Sequence, residues 1–276
     1  MEIKDVLFFD TETTGVPDRA ANWDTDFETY PHIVQIAWIF GDKAESHIIR
    51  PTGWEIPDDV VEVHGITTEY AIEHGEPFVF VIDRFIAFAA KAGLLCGHNI
   101  HFDTGMIKAN ILRELGHEYY DANGVEAALY KGKRIDTMRS TMKWVDARNS
   151  WGRLKFPNLG ELYARCFPGE TFPAHDAMAD TEAVRRCLPV ILKQGLVKLE
   201  VKEYPAPAPD DFKTILKTPN VEVSIAPMPE KAENGPISGL NEENDKLPIQ
   251  SVQAPQIENS AKISQAVADL LEQNEF

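Results

Sequence analysis

Cysteine is scarce in this chain, basic charge is in deficit, and no apolar run is long enough to span a bilayer. Each shortage removes a class of protein. Cys96, Cys166 and Cys187 are three in number, sit among apolar neighbours and form no close Cys/His spacing. They read as buried thiols rather than disulfides or zinc ligands, which points to a reducing, cytoplasmic setting. The opening Met1-Glu-Ile-Lys-Asp5 lacks the pattern of a secretory leader, so no membrane association is expected. With 27 Lys and Arg against 44 Asp and Glu, the net charge of −17 excludes a protein that coats polyanions through a general basic surface. It leaves room for one that grips an anionic strand locally.

The deficit is uneven along the chain. Residues 131–155 (KGKRIDTMRSTMKWVDARNSWGRLK) hold eight Lys or Arg against Asp136 and Asp146, with Trp144 and Trp151 interleaved. Two readings stand. The segment holds a nucleic-acid strand, with cations such as Arg148, Arg153 and Lys155 on phosphates and a tryptophan stacked on a base. Alternatively it is an amphipathic helix with a solvated basic face and two core tryptophans.

Composition shifts again near Glu203. Residues 204–276 contain nine of the 18 prolines, with twelve acidic and five basic residues. Such a stretch buries too little apolar surface to offset its ordering entropy. The chain therefore divides into a folded domain over 1–198 and a Pro-rich acidic tail over 199–276, expected to be largely disordered. Within the tail, residues 261–271 (AKISQAVADLL) carry Ile263, Val267, Leu270 and Leu271 at helical spacing. This short candidate helix is either idle or folds onto a partner protein.

What is present in strength is one stretch, Val6-Leu-Phe-Phe-Asp-Thr-Glu-Thr-Thr-Gly15. Four apolar residues bounded by a Gly predict a buried strand with Asp10 and Glu12 near its carboxyl end. Side chains two apart on a strand share a face, so the two carboxylates project together. Held that close they repel, and desolvation makes both charges costly. A hard divalent cation relieves both penalties, so this stretch reads as half of a magnesium or manganese site.

Further on, residues 16–31 read as a loop, and His32–Phe40 with Ala44–Ile49 as a hairpin about Gly41-Asp42. Short helices are predicted over Pro57–Val63 and Thr67–Glu73, then a longer one over Phe78–Ala92. A short strand over Leu94–Gly97 precedes a helix from Phe102 to Leu115 that stops at Gly116. Lys133–Thr137 reads as a strand followed by a helix, and Leu159–Phe167 and Asp176–Leu196 as the last helices. The order implies an α/β layer structure with a mixed sheet flanked by helices.

Three more stretches carry chemistry-bearing residues. Gly97-His-Asn-Ile-His-Phe-Asp103 opens a helix, so Asp103 lies in a first turn that favours a carboxylate. His175-Asp-Ala-Met-Ala-Asp180 does the same after Pro173, and Val63-His-Gly-Ile-Thr67 joins two short helices. Each is weak alone. Together, in this order, FFDTETTG, GHNIHFD and HDAMAD resemble the three motifs of the DEDDh exonucleases, the family that includes the proofreading subunit of bacterial replicative DNA polymerase.

The resemblance covers about residues 4–195 and implies a ribonuclease-H-like fold with a mixed five-stranded sheet. It implies catalytic residues Asp10, Glu12, Asp103, His175 and Asp180. The four carboxylates would hold two divalent cations, Mg²⁺ or Mn²⁺, in a two-metal mechanism. His175 would act as general base, and Thr13 and His64 would touch the 3′-terminal nucleotide. Each of the last three has a plainer alternative: a helix cap or surface residue for His175, a turn residue for Thr13, a cap for His64. His98 and Asn99 read as supports of the loop before Asp103, His101 and the extra acid Asp176 stay open, and Asp136 reads as a support or a cap. The activity implied is 3′–5′ hydrolysis of single-stranded or frayed DNA ends to nucleoside 5′-monophosphates, in replication proofreading or repair. The alternative is a 3′–5′ exoribonuclease in RNA processing, since ribonuclease T and oligoribonuclease share the same five residues. A reading of another class is an adaptor subunit tethered through its tail to a polymerase or other replication protein.

Overall fold

β1 (Val6–Thr13) is the central strand of a five-stranded sheet, in a computed structural model that describes residues 5–18, 20–22 and 25–197. The remaining strands are β2 (Ile33–Phe40), β3 (Lys43–Ile48), β4 (Leu94–Gly97) and β5 (Lys133–Asp136). They lie in the order β3-β2-β1-β4-β5. β1 and β3 each run antiparallel to β2, whereas β1, β4 and β5 are mutually parallel. The sheet is mixed, as expected. The assigned boundary after residue 198, the acidic stretch 199–276 and the candidate helix 261–271 lie outside the described residues.

Strand alternation sorts the core. Leu7 and Phe9 join Ile36, Trp38 and Leu95 under α3 (Phe78–Lys91) and α4 (Ile100–Ala122). Val6 and Phe8 join Leu94, Cys96 and Ile135 under Val184 and Leu188 of α7 (Ala177–Lys193). Both faces are therefore covered, which is why β1 reads as an unbroken apolar run rather than an alternating one. Asp10 and Glu12 share the parity of Val6 and Phe8, so they emerge on the α7 side where the apolar cover ends. Thr11 has the parity of Phe9 and meets α4.

Four shorter helices complete the layers: α1 (Asp58–His64) and α2 (Thr68–His74) share a cluster with Val34 of β2, α5 (Thr137–Val145) follows β5, and α6 (Leu159–Cys166) packs against α7. Their caps are sequence-encoded. Thr67 accepts from the Tyr70 amide, Asp136 from that of Arg139, and Asn158 and Glu161 form a reciprocal capping box. No helix among the described residues is long and apolar enough to cross a membrane. Cys96 and Cys187 are buried, Cys166 partly so, and all three are free thiols.

One expectation needs correction. The helix that was to stop at Gly116 breaks there, at φ 81°, but helical backbone resumes and runs to Ala122. The reason is tertiary: Tyr119 and Tyr120 enter the α3 side of the core, a signal masked by their polar neighbours. Phe27–Thr29, inside the expected loop, forms a single 3₁₀ turn.

Candidate active site

The end of β1 is tied to α4 by one side chain. The Thr11 amide and hydroxyl both donate to Asp103 Oδ1, at 3.1 and 2.8 Å. Asp103 is only 2% exposed, in the first turn of α4, where the helix dipole favours its charge. The loop ahead of it is held from β5. The Asn99 amide donates to Asp136 Oδ1 at 3.2 Å, and Asn99 itself sits at φ 67°. His98 bridges Thr137 Oγ1 and the Pro157 carbonyl, each at 3.0 Å. His98, Asn99 and Asp136 thus shape the approach to Asp103, and Asp136 caps α5 as well.

The start of α7 is held by a residue that sequence reasoning passed over. Gln35, on β2 directly opposite Glu12, is 3% exposed. Its Nε2 donates to Asp176 Oδ2 and to Ser46 Oγ, both at 3.1 Å, while its Oε1 accepts from the Ala177 amide at 3.2 Å. Asp176 also caps the helix through the Ala179 amide. This clamp fixes where α7 begins and so where Asp180 and His175 stand. The only advance signal was a lone amide in the apolar run HIVQIAWIF.

His175 occupies left-handed backbone at φ 68°, a conformation non-glycine residues seldom hold without being forced. Its amide donates to Asp180 Oδ2 at 3.2 Å. Ligand atoms of Glu12, His175 and Asp180 lie within 4.8 Å of one another. His64 faces the same region from the end of α1, close enough to His175 for their charges to repel. Its Nδ1 accepts from the Ile66 amide at 3.1 Å, so the neutral ring carries its proton on Nε2, a buried donor with no partner among the described residues. The Thr13 hydroxyl donates to the Gly15 carbonyl at 2.6 Å, the turn contact that was its plainer alternative.

Electrostatically the cluster is unfinished. Asp10 is raised well above the usual carboxylate range, first by its withdrawal from water and then by Asp103, Asp180, Glu12 and Asp176. Withdrawal from water followed by Asp180, Asp176 and Asp103 pushes Glu12 up to about 8. Asp103 and Asp180 are raised as well, chiefly by desolvation, despite hydrogen bonds from Thr11 and from the His175 amide that pull the other way. Asp180 Oδ1 is buried without a hydrogen-bond partner among the described residues. Repelling carboxylates, an orphaned oxygen and an all-oxygen donor set with one imidazole fit hard divalent cations.

The structure therefore gathers Asp10, Glu12, Asp103, His175 and Asp180 around the carboxyl end of the central strand, with His64 and Thr13 at the margin of the cluster. Comparisons with known proteins bear on the family and the fold. The RNase T exonuclease family model matches residues 7–188. A DNA polymerase III PolC-type protein of Streptococcus pyogenes is 30% identical over 201 residues, 71% of this chain. The match spans only 12% of that much longer relative. Escherichia coli exonuclease I, in a complex with a dA16 oligonucleotide, superposes with a TM-score of 0.51 at 20% identity, over 69% of this chain and 41% of that one. Its complex with a 5cy-dT13 oligonucleotide gives 0.52 at 21% identity, over 68% and 40%. Those structures share the fold: a mixed five-stranded sheet with flanking helices, of the ribonuclease-H-like kind. With three motifs meeting at the end of the central strand and a family match over most of the described residues, this chain belongs to the RNase T-type, DEDDh 3′–5′ exonuclease family.

Proposed function

We propose that the chain hydrolyses the 3′-terminal phosphodiester of single-stranded or frayed DNA and releases nucleoside 5′-monophosphates. The observation that carries this reading is the convergence of four carboxylates with raised proton affinity, one bearing an orphaned oxygen, beneath an exposed imidazole. Asp10, Glu12, Asp103 and Asp180 would hold two divalent cations, Mg²⁺ or Mn²⁺. Bound there, such ions lower the pKa of a water and stabilise charge on the leaving 3′ oxygen.

The chain's own groups do the rest. His175 takes the proton from the attacking water, and its strained backbone and amide bond to Asp180 aim the ring at the cluster. His64 offers its unpartnered Nε2–H to the terminal sugar or base. Thr13 closes the turn above the carboxylates and packs against the same nucleotide. Thr11 and Gln35 touch no substrate. They hold Asp103 and the start of α7 in register with β1.

DNA is the substrate of choice because the exonuclease I structures are complexes with deoxyoligonucleotides. The PolC-type relatives are DNA polymerases, which supports a role in replication proofreading or repair; a polymerase or other protein partner reached through residues 199–276 rests on the composition of that stretch alone. A second reading, hydrolysis of RNA 3′ ends, draws on the ribonuclease name of the matching family model. The experiment is digestion of 5′-labelled DNA and RNA oligonucleotides with Mg²⁺, Mn²⁺ or EDTA. A metal-dependent ladder that shortens from the 3′ end of DNA is expected. A ladder on RNA alone would move the assignment to the second reading, and intact strands in every lane would refute both.

A further inference from the structure

We propose that a cleft on the β5 side of the carboxylates is a second binding site, which seats the backbone of the strand just upstream of its 3′ end. This rests on the exonuclease reading. The cleft measures about 590 Å³ and is lined by Ile100, His101, Gly132, Arg134, Asp136 and Arg139.

Its position follows from the fold. Ile100 and His101 open α4 within three residues of Asp103. Asp136 ends β5 beside β4, holds the Asn99 amide, and is close enough for its charge to raise Asp103. A strand whose terminal phosphodiester meets Asp103 therefore has this cleft as a neighbouring berth. β1, β4 and β5 run parallel, so their carboxyl ends meet at one end of the sheet, where Asp136 joins the cleft lining; Arg134, paired with Leu95, lies on the α4 face that also carries Asp103.

Its chemistry suits phosphodiesters. The Arg134 guanidinium lies over the Tyr130 ring at 5.1 Å, and that of Arg139 over Phe156 at 5.3 Å. A ring beneath a guanidinium fixes its plane and leaves N–H edges for phosphate oxygens. Arg139 Nε stands 3.3 Å from Asp136 Oδ2, but the side chain is 58% exposed and its terminal nitrogens have no bond to that carboxylate. Two other cations of the basic segment are differently occupied. Lys155 pairs with Glu161 at 2.7 Å, and Arg148 binds Asp146 and the Gly152 carbonyl. Of the cations expected at the sequence level to hold a strand, these two are spent on local structure, whereas Arg134 and Arg139 face a cleft beside the site. In a chain of net charge −17, such a paired berth is what draws a polyanion to an acidic centre.

The test uses the full chain and the double variant Arg134→Gln, Arg139→Gln, which keeps much of the alkyl packing. One substrate is a 5′-labelled oligothymidylate. The other is the p-nitrophenyl ester of thymidine 5′-monophosphate, which has no upstream phosphate. The variant is expected to lose about tenfold or more in kcat/KM on the oligomer, mainly through KM, and at least tenfold less on the ester. Oligomer affinity measured by anisotropy in Ca²⁺ should show a log–log salt slope smaller by about 1.4. Equal losses on both substrates, or an unchanged salt slope, overturn the proposal. A wild-type chain that binds the oligomer through these arginines yet hydrolyses neither substrate sinks the activity reading and leaves the cleft standing. One that neither binds nor hydrolyses sinks both.

Discussion

Two acid-rich clusters sit on opposite parts of the same sheet, and they are built on opposite principles. On β3 and its flank, Glu45, His47 and Glu76 meet Arg84. His47 Nδ1 lies 2.6 Å from Glu76 and its Nε2 3.3 Å from Glu45, while Arg84 donates to Glu45. Burial alone would raise Glu45, but hydrogen bonds from His47 and Arg84 bring it below its ordinary value. The His47 hydrogen bond lowers Glu76, and His47 is raised by the two acids against the pull of its burial. At the end of β1 the acids have no such partners. Every one is raised, and Asp180 keeps a bare oxygen. The first cluster supplies its own cations and is structure. The second lacks them, as the proposed metal site requires.

The sharpest way to break this contrast is to remove the one base that accompanies the acids. His175→Ala is expected to lower kcat by about 10²–10⁴-fold while leaving Mn²⁺ affinity nearly intact. Single-turnover hydrolysis of a labelled DNA strand reads the first, calorimetry the second, and near-normal turnover would strip His175 of its role.

Next in size is the response to pH, where the two clusters should have opposite signs. Glu12 titrates about 8 in the fold against 4.5 ordinarily, so without metal its contribution to stability is full below pH 4.5 and lost as pH rises through 8. Glu45 and Glu76 are lowered, so their contribution is present at neutral pH and lost in acid. Metal-free protein should therefore have a lower melting temperature at pH 8 than at pH 6, and Mg²⁺ should restore it more at pH 8. In Glu76→Gln, the fall of melting temperature below pH 5 should become shallower, with the alkaline limb unchanged. Melting curves with the same slope in both proteins would erase the distinction.

The smallest expected effect is at the clamp that keeps α7 in register. Gln35→Leu removes the donor to Asp176 and the acceptor for Ala177, and should lower kcat about tenfold with little change in KM. Gln35→Glu keeps the acceptor for the Ala177 amide and should recover part of the loss at saturating metal. A rise in KM alone would place Gln35 in substrate binding instead.

The same contrast explains what could be read before the structure. Asp10 and Glu12 were legible because strand parity is a local rule and an apolar run announces the strand. Asp103 and Asp180 could be placed at helix starts, which are punctuated in the sequence, but it was the resemblance of their motifs to a family that singled them out. Gln35 was not, since its partners lie 141 and 142 residues away, and one amide in a buried strand says only that it needs partners. Asp136 stayed open between support and cap because it is both: the cap to the Arg139 amide is local, whereas the bond from the Asn99 amide depends on β5 lying beside β4. The basic segment divides in a way its spacing does not show. Trp144 packs on the α6–α7 cluster beneath Arg165, whereas Trp151 is 80% exposed. The helix beyond Gly116 was missed because its two core tyrosines follow His117 and Glu118 and show no apolar period.

The central claim is that the carboxylates beneath β1 lack an internal cation and are completed by a divalent one. Calorimetric titration of the metal-free chain with Mn²⁺ at pH 8, beside Asp10→Asn, tests it most directly. Saturable binding in the wild-type chain that weakens at least tenfold in Asp10→Asn is the expected result. Equal binding in the two proteins, or none in either, would contradict it.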